Sequence, residues 1–328
     1  MRKAGIIFTG GTISMIVDQK LKAVIQGLST QEIMSKLTNI GEIAEVELLE
    51  MGPYPGPHVT PERMLEIIRQ IKCFLSKDDI DGVVITHGTD TLEETAYMAD
   101  LLIDSPKPVV FTGAMRNSSE LGYDGPANLA AAICTATAEN SRHKGVLIVM
   151  NNEVNAAAET TKTHTMKLDT FKSLDYGPLG IVDNNQVIYY RSKKRETSYL
   201  TDKIVEDVAL IKSASGMDDL LIRFCVDNGC KGIVIEAMGR GNIPAEMVSG
   251  VRYAIAHHVP VVLVSRCPMG RVLDSYGYPG GGKELRSLGV IMGVNMSGPK
   301  ARIKLMVVLA AASGFQDIKR QFETEEVF

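Results

Sequence analysis

The alternation of short apolar runs with helically spaced apolar residues narrows the possible folds most. AGIIFT, EVELLEM, DGVVITH, KPVVFTG and GVLIVMN are each brief and rich in Val and Ile. Between them, Met64, Ile67, Ile68, Ile71 and Leu75 share one face of a predicted helix over 61–75, with Thr60-Pro61 supplying an N-cap and a proline at the first helical position. Leu92, Thr95, Ala96, Ala99, Leu102 and Ile103 repeat the pattern over 91–103. Continuous apolar strands separated by amphipathic helices predict a mostly parallel sheet covered on both faces, an α/β doubly wound domain.

The pattern lapses at RSKKRETSYLTD and then restarts with VEDVALIK, KGIVIEAM and VPVVLVS, with helices near 217–228 and 244–257 and a last helix from Pro299. A chain of 328 residues exceeds the size at which one core usually keeps growing. The expectation is a larger N-terminal domain over 1–190, a linker over 191–203, and a smaller C-terminal α/β domain of three strand–helix units over 204–328.

Composition restricts the partners. The net charge of −4 gives no electrostatic footprint for nucleic acid or an anionic membrane. No apolar run approaches the ~20 residues that span a bilayer, and MRKAGIIFTGG is too short in its apolar part for a secretory signal. The five cysteines (Cys73, Cys134, Cys225, Cys230, Cys267) are odd in number and scattered, so they read as small buried hydrophobes in a reducing cytoplasm. The six histidines lack metal-ligand spacing, and His257–His258 reads as a surface pair. No metal is expected, and a small charged metabolite is the expected partner.

Ligands of open parallel sheets sit beyond the carboxyl ends of the strands. At those ends the apolar runs lead into Thr9-Gly10-Gly11-Thr12, then Thr86-His87-Gly88-Thr89-Asp90-Thr91, Gly113-Ala114-Met115-Arg116-Asn117 and, after the fifth run, a region ending in Thr161-Lys162-Thr163-His164-Thr165. A threonine hydroxyl needs a base to act as a nucleophile. Lys162 supplies one if burial lowers its pKa, with Thr89 relaying the proton. Ionised Asp90 would hold a substrate ammonium or orient the lysine, while glycines let backbone N–H groups approach an oxyanion. Each piece also has a plainer reading: Gly-Gly as a turn, Asp90-Thr91 as a helix cap, Lys162 as a surface lysine, and His87 and His164 as groups bonded to nearby backbone.

TGGTI, HGTDTLEETA, TGAMR with DGPANL, and TKTHT together resemble the bacterial-type L-asparaginase family, in its order and over most of the chain. The resemblance implies two α/β domains, homodimers or homotetramers, no cofactor, a cytoplasmic location, and hydrolysis of a side-chain amide through an acyl-enzyme. It implies Thr12 as first nucleophile, Thr89 as second catalytic threonine, Lys162 as its proton acceptor, and Asp90 as the group gripping the substrate's α-amino group. Gly11, Gly88 and Ala114 would line the substrate, with the Ala114 carbonyl accepting from the leaving nitrogen. The polar segment 13–27, which shows no regular pattern, would be a mobile lid.

Three places depart from the family. Near Lys22, where many members carry a lid tyrosine, this chain has none between Thr12 and Gly27. Gly56 stands where a serine binds the α-carboxylate, leaving the Gly56 and His58 N–H groups around Pro57 to hold it. Arg240 stands where an asparagine reaches a neighbouring subunit's site. Tyr54, or a neighbouring subunit's Tyr276 or Tyr278, would supply the missing phenol, unless these tyrosines are only packed caps. Besides asparagine hydrolysis, two readings remain open: an amidohydrolase for another amino-acid amide or small peptide, and an amino-acid sensor without turnover. A transfer-RNA amidase subunit fits less well, because the strand leading to TGGTI starts at once and the chain is slightly acidic.

Overall fold

The computed structural model describes residues 2–38, 40–193 and 198–323. The chain divides into two compact units, Met1–Ser198 and Tyr199–Phe328. The basic stretch expected as a linker lies partly outside the described residues.

The first unit carries an eight-stranded sheet in the order Gln186–Tyr189, Gly180–Asp183, Glu153–Ala156, Val146–Met150, Val109–Thr112, Gly82–Thr86, Lys3–Phe8, Glu45–Glu50. The last five in that order are mutually parallel, and the first three pair antiparallel. The expected mostly parallel sheet is therefore present, with an antiparallel flank. The strands Gly82–Thr86, Val109–Thr112 and Val146–Met150 are buried throughout, as the unbroken apolar runs require.

Two helices follow their predicted bounds closely. Pro61–Leu75 is capped by the Thr60 hydroxyl, which accepts from Arg63 N–H, and buries Met64, Ile67, Ile68 and Ile71; Phe74 rather than Leu75 completes the buried face. Leu92–Leu102 buries Thr95, Ala96, Ala99 and Leu102, and also one carboxylate, Glu93, that the periodicity gives no reason to place inside.

Segment 13–27 has more order than its polar sequence suggests. A 3-10 turn over Thr12–Ser14 leads into an antiparallel hairpin, Met15–Asp18 with Ala23–Gln26. The Asp18 carboxylate accepts from Lys20 N–H and Leu21 N–H and closes the turn. The reversal leaves little trace in the sequence because Lys22, not a glycine, takes the left-handed conformation at its end, with φ 49°.

The second unit has a parallel sheet of four strands rather than three: Val208–Lys212, Gly232–Ala237, Val261–Ser265 and Ile291–Met292. The last is two residues long, too brief for any period to announce it. Helices Leu220–Asp227, Val248–Ala256 and Gly298–Ala311 match the predicted ones, and Gly282–Ser287 and Phe315–Phe322 are additional. The cysteines are all free, but Cys134 alone is buried, and Cys73 and Cys267 are exposed. No helix among the described residues is long and apolar enough to cross a membrane.

Candidate active site

Taken in sequence order, the five parallel strands lie in the order 2-1-3-4-5. From Lys3–Phe8 the chain moves to one side, and it then crosses to Gly82–Thr86 on the other. The loops leaving those two neighbours diverge, opening a crevice at the carboxyl edge. Register brings them out level, since Phe8 pairs with Glu50 and with Thr86, and Thr86 pairs with Thr112. The TGGT, HGTDT and TGAMR loops thus start from one row.

Beyond that row the main chains touch. Gly11 adopts φ 84°, and a Cβ there would lie 2.6 Å from the Gly88 Cα. A Cβ on Gly88 would lie 2.6 Å from the Gly56 Cα, and one on Gly113 would lie 2.6 Å from the His87 carbonyl oxygen. Four loops therefore meet backbone to backbone, with Thr12 and Thr89 each one residue beyond the Gly11–Gly88 contact. Hydrogen bonds bind the same loops: Thr9 donates through its N–H and hydroxyl to the Thr86 carbonyl, Tyr54 N–H donates to the Thr9 carbonyl, and the Thr91 hydroxyl donates to the Gly56 carbonyl at 2.7 Å. Thr91 is the N-cap residue by position, yet its side chain makes no capping bond. It joins two loops instead.

Lys162 arrives by an indirect route. After Val146–Met150 the chain runs back along the sheet as Glu153–Ala156, so the lysine is not in the loop directly after the fifth strand. It stands in a two-residue strand, Thr161–Lys162, paired with Phe171–Lys172. Its Nζ donates to the Thr89 hydroxyl at 3.0 Å and to Asp90 Oδ1 at 2.7 Å. Thr89 is buried, whereas the Asp90 side chain is 60% exposed, leaving an accessible carboxylate beside a mostly covered ammonium.

His87 is wholly buried. Its Nδ1 faces the Gly88 carbonyl at 2.8 Å and its Nε2 faces the Thr95 hydroxyl at 2.9 Å. A carbonyl only accepts, so Nδ1 carries the proton and Nε2 accepts from Thr95. Burial pushes the imidazole pKa down from 6.5 to about 4, only partly offset by the bond to Gly88. The ring is a neutral strut under Gly88, consistent with its structural reading. His164 also serves backbone, accepting at Nδ1 from Met166 N–H and Lys167 N–H.

Two residues of DGPANL organise the third loop. The Asp124 carboxylate accepts from Met115 N–H, Arg116 N–H and the Asn128 amide, and the same amide donates to the Gly113 carbonyl. Ala114, fully buried, is held between these contacts. The Tyr123 hydroxyl donates to the Ile13 carbonyl, tying this loop to the residue after Thr12. Desolvation, reinforced by the adjacent Asp124, raises the Tyr123 pKa and keeps the phenol a neutral donor. Sequence reasoning assigns no separate role to Tyr123, Asp124 or Asn128. The signal that could have found them is a carboxylate and an amide at i and i+4 beside a glycine-containing turn.

Gly56 lies in the cluster, but the His58 N–H donates to the Pro55 carbonyl within the 3-10 turn Gly56–His58 and is not free to bind a carboxylate. Pro57 is exposed. Lys22 is exposed at the end of the hairpin turn, and Tyr54 stacks under the Arg63 guanidinium at 4.3 Å. Arg240, Tyr276 and Tyr278 belong to the second unit, where the Arg240 carbonyl accepts from Leu273 N–H and the two tyrosine rings sit 5.5 Å apart. A cavity of about 260 Å³ is lined by Phe8, Ile13, Ser14, Gln26, Ile33 and Thr86 among others. It is lined by none of Thr12, Thr89, Asp90 and Lys162, so the polar cluster rather than this cavity is the candidate site. Among the described residues no group of three or more His, Cys, Asp or Glu is arranged to hold a metal.

Comparison with known proteins bears on this arrangement. The family described as asparaginase, N-terminal, matches residues 3–195, and the glutaminase/asparaginase C-terminal domain matches residues 207–322. The chain is 32% identical to an L-asparaginase of Bacillus licheniformis over 94% of this chain and 96% of that one. It is 32% identical to L-asparaginase 2 of Escherichia coli (97% and 91%), and 31% identical to a glutamyl-tRNA(Gln) amidotransferase subunit of Methanobrevibacter smithii (96% and 74%). The crystal structure of a probable cytoplasmic L-asparaginase from Campylobacter jejuni superposes with a TM-score of 0.88 at 28% identity, covering 98% of this chain and 99% of that one. Two domain matches in order, and relatives aligned over nearly the whole length, show that this chain belongs to the asparaginase family and is an asparaginase-like amidohydrolase.

Proposed function

We propose that the chain hydrolyses the side-chain amide of L-asparagine to L-aspartate and ammonia through an acyl-threonine intermediate. The observation that carries this reading is Lys162 Nζ within hydrogen-bonding distance of both Thr89 and Asp90, beside the Gly11–Gly88 main-chain contact from which Thr12 is one residue away.

In the resting arrangement Nζ donates to Thr89, so it must lose a proton before it can accept one. The substrate's α-ammonium supplies the occasion: it takes over the exposed Asp90 carboxylate, and the lysine, left beside a second cation, releases its proton to solvent. Thr12 Oγ then attacks the amide carbon, its proton passing toward Thr89 and Lys162. Backbone N–H groups around Gly11 and Gly88 hold the oxyanion. The C–N bond breaks as the departing nitrogen takes back the proton passed to Lys162 and leaves as ammonia; water then attacks the ester, giving a proton to Lys162 that returns to Thr12 Oγ as aspartate departs. General acid–base help of this kind is worth about 10²–10⁴-fold.

Thr12→Ala and Thr89→Val, each checked for folding by circular dichroism, should lose ammonia release from asparagine by about that factor or more. Full activity in both would refute the nucleophile assignment. A second reading, an amidohydrolase for another amide or small peptide, is favoured by Gly56 in place of a serine and by the His58 N–H already bonded to Pro55. An amide screen ranked by kcat/KM separates the two. A sensor without turnover would show asparagine binding by calorimetry and no ammonia. We also infer a cytoplasmic homodimer or homotetramer taking a small-molecule substrate and no nucleic acid, read by cell fractionation and sedimentation velocity.

A further inference from the structure

Glu93 is the buried carboxylate that neither the helix nor the proposed chemistry explains. It lies in the first turn of Leu92–Leu102, three residues after Asp90, and is 9% exposed. An acidic residue in a first turn usually faces water and the free N–H groups of its own helix. Here Oε1 accepts instead from the Thr161 hydroxyl at 3.0 Å and from Lys162 N–H at 3.2 Å, partners 68 and 69 residues away. Oε2 is buried without a hydrogen-bond partner. Burying a carboxylate with one oxygen unmet is costly, and an apolar side chain of similar size would avoid that cost. The carboxylate's two donors are the hydrogen-bond partners it has among the described residues.

Those donors bracket the lysine. One is the hydroxyl of the preceding residue and the other is the lysine's own main chain, while the helix bearing Glu93 begins directly after Thr89, Asp90 and Thr91. We propose that Glu93 is a positioning residue: it clamps the Thr161–Lys162 strand to the start of that helix and so sets where Nζ stands relative to Thr89 and Asp90. Such a clamp suits this site because Lys162 comes from a two-residue strand whose main-chain pairing, with Phe171–Lys172, and whose neighbouring Thr163–Thr170 bonds do not involve the helix that bears Glu93. Glu93 does not reach the reacting atoms and acts only through Lys162. The role deepens the proposed hydrolysis and rests on that reading for its kinetic part.

Glu93→Ala and Glu93→Gln are compared in the full-length protein, by amidohydrolase kinetics and by the 13C resonance of reductively methylated Lys162, assigned with Lys162→Arg. Glu93→Ala should lower kcat by about 10²-fold with little change in KM, the loss expected for a reactive group displaced by ~1 Å. Its Lys162 resonance should move toward that of exposed lysines. Glu93→Gln keeps an acceptor oxygen for both donors and should restore kcat and resonance to near wild type. If Glu93→Ala does not fold, Thr161→Val removes one of the two donors and should give a smaller change in the same direction. An active wild type whose Glu93 or Thr161 variants keep both kcat and resonance overturns the role. A resonance that moves in Glu93→Ala while the wild type hydrolyses no amide leaves the clamp standing and removes the hydrolytic reading.

Discussion

Gly88 shows how little room the site leaves for side chains. Its neighbours on either side are the main chains of Gly11 and Gly56, and a methyl group at Gly88 or Gly11 would overlap backbone that has nowhere to go. At Gly11 the positive φ adds a further penalty of ~1 kcal/mol for any other residue. Gly11→Ala should therefore lose at least that much stability in a urea titration and reduce ammonia release by about 10²-fold. Gly56 differs. A Cβ there meets Asp90 and Gly88 atoms only at 3.4 Å, an ordinary contact. Gly56→Ser should fold, losing no more than about 1–3 kcal/mol if the buried hydroxyl goes unmet, read by urea denaturation. If the α-carboxylate sits beside it, the new hydroxyl should lower KM for asparagine roughly tenfold, the value of one bond to a charged group. An unchanged KM would favour a substrate without a carboxylate there.

The loops that bear the site are shaped by elements whose periods are legible in the sequence and by contacts that are not. The helix 61–75 can be drawn from apolar spacing and a Thr-Pro start, the helix 91–103 from apolar spacing alone, and the parallel strands from unbroken Val and Ile runs. The hairpin over 15–26 cannot, because four-residue arms with no fully buried face and a lysine in the left-handed position carry neither a clear period nor a turn glycine. The same holds for Thr161–Lys162, whose two residues become a strand only through pairing with Phe171–Lys172. The candidate residues Thr12, Thr89, Asp90 and Lys162 stand out by motif. The contacts around them, such as Thr91 on Gly56 and Asp124 on the Met115–Arg116 turn, depend on segments 8 to 35 residues apart meeting in space. Asp124→Asn puts an amide hydrogen against N–H donors in this turn. It should cost about 1–3 kcal/mol of stability, read by urea denaturation, with a parallel fall in kcat.

For the whole molecule, the neutral buried imidazole of His87 makes stability depend on pH. In the unfolded chain the ring titrates near 6.5, and in the folded one near 4. Between those values the unfolded state binds a proton that the folded state refuses, so stability falls as pH drops through the window and is intact above it. The two pKa values correspond to roughly 3 kcal/mol between pH 7 and pH 4. Urea midpoints taken across that range should decline more steeply in wild type than in His87→Gln. Equal slopes would show that the ring is more open than its burial implies.

The contact between Gly11, Gly88 and Gly56 also bears on how such a protein can change its work. Where three stretches of main chain abut, the spacing of the groups beyond them is set by peptide geometry and cannot drift with rotamers. Selection for a new substrate is thereby channelled to the few positions that still accept a side chain, such as 56, the one of the three whose Cβ meets neighbours only at 3.4 Å. Thr12 and Thr89, one residue beyond that contact, can be inherited unaltered while the substrate shifts.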